Sequence, residues 1–123
     1  MMTKILVVED DLLNRMFYQD ALGLRGFDVA LVGDGAAVLA EVQRFDPDLI
    51  TMDISLPNIS GLRLIRLLKR DLATRTIPIL AITAFAGREE EDRVRQAGAD
   101  GYLAKPVTVE RLAGAVEGLL GPT

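Results

Sequence analysis

The chain contains no cysteine and no histidine. Without cysteine there is neither a disulfide framework nor a thiolate metal site. Without histidine the commonest general base, the commonest metal ligand and any histidine phosphorylation site are gone. Whatever chemistry occurs must run on carboxylates, hydroxyls and lysine. No run approaches the ~18 apolar residues of a membrane span. The start Met1-Met2-Thr3-Lys4 lacks a signal peptide's charged and apolar regions, so a cytoplasmic protein is expected. A basic excess is missing too. The 14 basic and 18 acidic side chains leave a net charge of -4, a field that repels phosphate backbones and argues against a nucleic-acid partner.

With 123 residues, half of them apolar and 26% charged, the chain has the length and composition of one domain, which buries roughly two-thirds of its unfolded surface. Four apolar runs have strand length: Ile5–Val8, Leu49–Met52, Ile79–Ile82 and the weaker Tyr102–Ala104. Phe27–Val32 alternates in part, as an edge strand does. Helical stripes separate them: Leu13, Met16, Phe17, Ala21 and Leu24; Val38, Leu39, Val42 and Phe45; Gly61, Leu64, Ile65 and Leu68. A last stripe, Val109, Leu112, Ala113, Val116, Leu119 and Leu120, comes after Thr108 as a cap and stops at Gly121-Pro122. All are read as core-facing. Between Gly87 and Gly98 acids come early and bases late, and only Val94 and Ala97 offer clear apolar contact, so a loosely held, solvated helix is expected there. Strands alternating with helices predict an α/β fold, a doubly wound five-stranded parallel sheet covered on both faces.

In such sheets ligands bind outside the carboxyl ends of the strands. The first strand ends in Glu9-Asp10-Asp11, the third in Asp53, the fourth in Thr83-Ala84 and the fifth in Lys105-Pro106. Singly, each is ordinary: acids suit a helix start, Asp53 a solvated strand end, Thr83 a strand and Lys105 the surface. Together they make a hard-cation site beside a phosphate binder. Two carboxylates ~4 Å apart repel by ~4 kcal/mol at an effective dielectric of about 20, so three need a cation or protonate. Oxygen-only donors favour Mg²⁺ or Ca²⁺, and two carboxylates with a phosphate and waters are the usual Mg²⁺ arrangement. Asp53 would then be the nucleophile toward phosphorus.

Four segments carry a resemblance that covers essentially the whole chain: "ILVVEDD" at Ile5 to Asp11, "DLITMDISLPNISG" at Asp48 to Gly61, "IPILAITAFA" at Ile77 to Ala86 and "GADGYLAKPV" at Gly98 to Val107. In this order they resemble the response-regulator receiver family, the CheY-like phosphoacceptor domains of two-component signalling. The strings "VEDD", "MDISLPNISG" and "TAFA" resemble stand-alone receivers of the DivK type most closely. The resemblance implies strand order 2-1-3-4-5 and a single receiver over residues 1–123 with no output domain. It further implies that Asp53 is the phosphoacceptor. Mg²⁺ would be supported by Asp10 directly, by Glu9 through water, by Asp53 and by the backbone carbonyl of Ser55. Thr83 would bond the phosphoryl group and act as a switch, with Lys105 pairing the same group and Tyr102 as the switch aromatic. Lys105-Pro106 would be a cis peptide, and Gly61 would serve the turn after Pro57.

Two positions bend from the simplest pattern. Glu9 stands for aspartate, and Phe85 occupies a place where some relatives carry a polar group that can orient water. The implied donor is a sensor histidine kinase or a histidine phosphotransfer protein. The implied output is not enzymatic: a downstream protein reads the face made by the Gly87–Gly98 helix, the strand through Tyr102 and the helix from Val109 to Leu120.

Three rivals share parts of this pattern. A Mg²⁺-dependent aspartyl phosphatase wants a second acid two residues after Asp53, where Ser55 stands. A flavin carrier wants a phosphate loop after the first strand, where Glu9-Asp10-Asp11 would repel phosphate. A receiver-like scaffold without phosphate turnover would have no need of every reactive position.

Overall fold

Strand β1 (Lys4–Val8) is apolar almost throughout because both of its faces are covered. Leu6 and Val8 enter one core, Ile5 and Val7 the other. The same division runs through β3 (Leu49–Asp53) and β4 (Ile79–Thr83), every residue of which is buried. β2 (Asp28–Val32) and β5 (Gly101–Ala104) are the edges, more exposed, and β5 alternates between buried and half-buried. The computed structural model describes residues 2–121. Met1, Pro122 and Thr123 lie outside the described residues, so the stop expected at Gly121-Pro122 is seen only as far as Gly121, which caps the last helix.

Among the described residues all strand pairs are parallel, in the order β2-β1-β3-β4-β5. Helices α1 (Leu12–Gly23) and α5 (Val109–Leu120) cover one face of the sheet. On the other lie α2 (Val38–Phe45), entered through a short 3₁₀ turn at Gly35–Ala37, α3 (Gly61–Arg70) and α4 (Arg88–Ala97). None of these helices is long and apolar enough to cross a membrane.

Caps place the helix starts. Asp11, Ser60 and Thr108 each accept a backbone N–H from the first turn of the helix they precede. α4 is preceded by Gly87, which offers no side-chain cap. Gly61 is required for a different reason: a Cβ there would sit 2.3 Å from the Asp53 carbonyl oxygen and 2.7 Å from the Ile54 Cα. Its missing side chain lets α3 start hard against the end of β3.

Three stripes are set differently from the expectation, the slightest departure being in α5, where Val109 faces solvent and Leu112, Ala113 and Val116 are buried. In α1 the buried residues are Tyr18, Ala21 and Leu22, whereas Leu13 and Met16 are 73% and 51% exposed. Leu24 lies past the helix end and is 88% exposed. Apolar residues on both sides of α1 allow two phases, and only the packing against α5 and β2 selects one. Leu39 also faces outward, while Val38 and Val42 carry the contact of α2. In α4 Val94 and Ala97 are buried as expected, but so is Glu90.

Candidate phosphoacceptor site

The carboxyl ends of β1, β3, β4 and β5 meet at one end of the sheet. Glu9 and Asp53 are 1% and 3% exposed, and Asp10 is open to solvent. One carboxylate oxygen from each of Glu9, Asp10 and Asp53 lies within 4.8 Å of the others. The Lys105 Nζ closes the group, 3.4 Å from Glu9 Oε1 and 3.4 Å from Asp53 Oδ2. The Lys105-Pro106 peptide at the end of β5 is cis.

Backbone amides hold the carboxylates in place. The Ser55 N–H donates to Asp53 Oδ1 at 3.0 Å, and the Asp11 N–H to Glu9 Oε2 at 3.0 Å. The acidic triplet therefore divides: Asp11 caps α1, whereas Glu9 and Asp10 turn to the cluster.

This crowding sets the electrostatics. Burial pushes the Glu9 carboxyl up to about 7, with the Asp53 charge adding to the rise, while the Asp11 amide and Lys105 oppose it. For Lys105 burial acts downward, yet the Asp53 and Glu9 charges outweigh it and hold the ammonium above its ordinary value. Tyr18, under the site on α1, is pushed up by burial and then by the fields of Glu9 and Asp53. Three close carboxylates with one ammonium are short of positive charge. Their all-oxygen donor set fits a hard divalent cation such as Mg²⁺.

Thr83 and Tyr102 are joined through the loop after β4. The buried Thr83 accepts the Phe85 N–H at 3.2 Å, and the Tyr102 hydroxyl donates to the Phe85 carbonyl at 2.8 Å. Phe85 itself is 64% exposed.

Two residues at this site were not singled out from the sequence. Arg15 donates from Nη1 to the carbonyls of Glu9 and Asp10, each at 3.1 Å, and clamps the loop between β1 and α1. Its guanidinium fills the space beside Gly33, where a Cβ would stand 2.1 Å from Nη1. The only hint was a base one turn beyond three acids. The other is Glu90, which accepts the Thr83 hydroxyl.

A strand-end aspartate stands here beside two acids and a lysine, and the response regulator receiver domain family matches residues 5–117. The chain belongs to this family. Among curated proteins, this receiver is 39% identical to the polar-differentiation response regulator DivK of Brucella ovis, over 98% of both chains. Among solved structures it resembles the chemotaxis response regulator CheY4 of Vibrio cholerae, with TM-score 0.91 and 27% identity over 97% of this chain and 99% of that one. It also resembles the receiver domain of a Pseudomonas aeruginosa sensor histidine kinase, with TM-score 0.89 and 32% identity over 99% and 100% of the two chains. That structure has a magnesium ion coordinated in its active-site cleft.

Proposed function

We propose that this receiver accepts a phosphoryl group on Asp53 from a partner's phosphohistidine and signals by phosphorylation-dependent protein binding, without enzymatic output of its own. The observation that carries this reading is the placement of Asp53 within 4.8 Å, oxygen to oxygen, of Glu9 and Asp10, with Lys105 at 3.4 Å. In the transfer an Asp53 oxygen bonds to phosphorus as the P–N bond of the donor breaks. The imidazole leaves with the electron pair and takes up a proton. Lys105 balances charge on the phosphoryl oxygens, and Thr83 supplies a hydroxyl to them.

Asp10, Asp53, the Ser55 carbonyl and Glu9 through water would hold Mg²⁺, which supplies further positive charge against the same oxygens. The magnesium in the Pseudomonas aeruginosa relative supports this. The donor is a sensor histidine kinase or a histidine phosphotransfer protein. The target reads the face of α4, β5 and α5, where Tyr102 is half-exposed and tied to the Thr83 loop. The 98% overlap with DivK supports reading residues 1–123 as one receiver unit.

Incubation with Mg²⁺ and a small acyl phosphate tests this directly. Intact-mass analysis should show one added phosphoryl group, lost with a chelator and in Asp53→Asn. Normal labelling of Asp53→Asn would overturn the assignment, and an unlabelled wild-type protein would favour a scaffold without phosphate turnover.

A further inference from the structure

Thr83 has a single hydroxyl hydrogen, and it is already engaged. It donates to Oε2 of Glu90, a carboxylate in the first turn of α4 that is only 8% exposed. The other carboxylate oxygen of Glu90 accepts Arg93 Nη1 at 3.0 Å. The Arg93 side chain is 55% exposed, so solvent weakens that ion pair. Among the described residues, the hydroxyl of Thr83 and the guanidinium of Arg93 are the side-chain donors to this carboxylate.

We propose that Glu90 is a positioning residue for the phosphoryl reaction, holding the Thr83 hydroxyl on α4 in the resting protein and thereby setting how readily Thr83 turns to Asp53. The proposal rests on Asp53 being the phosphoacceptor. A hydroxyl donates once, so Thr83 cannot serve Glu90 and a phosphoryl oxygen together. Turning to the phosphoryl group strips Oε2 of Glu90 of its partner, and a buried charged acceptor left without one is costly.

The new contact must overcome that cost, so part of the phosphoryl group's binding energy goes into breaking the old bond. The same movement loosens the start of α4, where Gly87 provides no side-chain cap. It also draws on the loop whose Phe85 carbonyl holds Tyr102. Glu90 thus links the reaction to α4 and β5 through one hydrogen bond.

Beryllofluoride, a phosphoryl mimic, titrated calorimetrically into the intact protein with saturating Mg²⁺ provides the test. Glu90→Ala should bind it about tenfold more tightly than wild type, the worth of a hydrogen bond to a charged group. Glu90→Gln keeps an acceptor of the same shape but weaker, and should gain about threefold. Both gains should vanish in a Thr83→Ala background, because Glu90 acts through that hydroxyl. A purely structural role would leave them unchanged there.

Equal or weaker binding by Glu90→Ala, or a gain that survives Thr83→Ala, would overturn the proposal. If Glu90→Ala does not fold, Glu90→Gln decides, and no gain counts against it. Asp53→Asn must abolish binding. Absence of binding by wild type would instead overturn the phosphoacceptor reading, and the role of Glu90 with it.

Discussion

The Lys105 ammonium stands 3.4 Å from a carboxylate oxygen of Asp53, and its side chain remains 28% exposed. At that distance it is the main positive charge facing Asp53 among the described residues, because Arg15, on α1, donates to the carbonyls of Glu9 and Asp10 and not to the carboxylates. Lys105→Met should therefore slow phosphorylation by a small acyl phosphate about tenfold or more, equivalent to at least ~1.4 kcal/mol of lost transition-state stabilisation. Initial rates from intact mass would show this. An unchanged rate would remove Lys105 from the reaction.

Glu9 predicts a pH dependence whose sign is set by its raised value. Its carboxyl sits near 7 in the fold against an ordinary 4.5, so between those values the folded protein holds a proton that the unfolded chain has released. Its contribution to metal-free stability is full below about 4.5 and is lost as pH rises through about 7. The wild type should thus lose stability relative to Glu9→Gln over this interval in urea unfolding. Mg²⁺ held at this cluster, as proposed, would compete with the same proton, so its stabilising effect should grow with pH. A difference between wild type and Glu9→Gln that stays flat with pH would contradict the burial argument.

The strand ends were legible in advance because a parallel sheet buries its central strands on both faces. Ile5–Val8, Leu49–Met52 and Ile79–Ile82 stand out as runs, and topology brings the polar residue at the end of each to the same edge of the sheet. Helix phase was less legible. Leu13 and Met16 share a plausible stripe with Ala21, yet only tertiary packing reveals that Tyr18 and Leu22 carry the contact. Glu90 could not be found by pattern at all. In a run of four acids, nothing local marks the one whose neighbour across the loop is a buried hydroxyl.

Gly61 should tolerate no side chain. In Gly61→Ala the new methyl would meet the backbone of Asp53 and Ile54, which cannot rotate away as a flexible side chain would. We expect a loss of about 2–3 kcal/mol in urea unfolding, and slower labelling because the shifted strand end carries Asp53 with it. Wild-type stability and rate together would show that α3 can move freely relative to β3.

Phe85 bears on the lifetime of the phosphorylated form. Its side chain is apolar and exposed, and it offers nothing to orient an attacking water. The phosphoryl group should therefore be lost slowly. Phe85→Gln and Phe85→Glu should each speed the loss several-fold, in proportion to how well the new group holds water. Decay tracked by intact mass after removal of the donor would show it, and unchanged decay in both variants would discard the idea.

The most direct measurement is the position of the label. Borohydride reduction converts an aspartyl phosphate to homoserine, and peptide mass analysis then identifies the residue. After treatment with Mg²⁺ and a small acyl phosphate, homoserine should appear at position 53, and it should be absent when the metal is chelated. Homoserine at position 10, a reduced glutamyl phosphate at Glu9, or no reduced residue at all would contradict the role of Asp53.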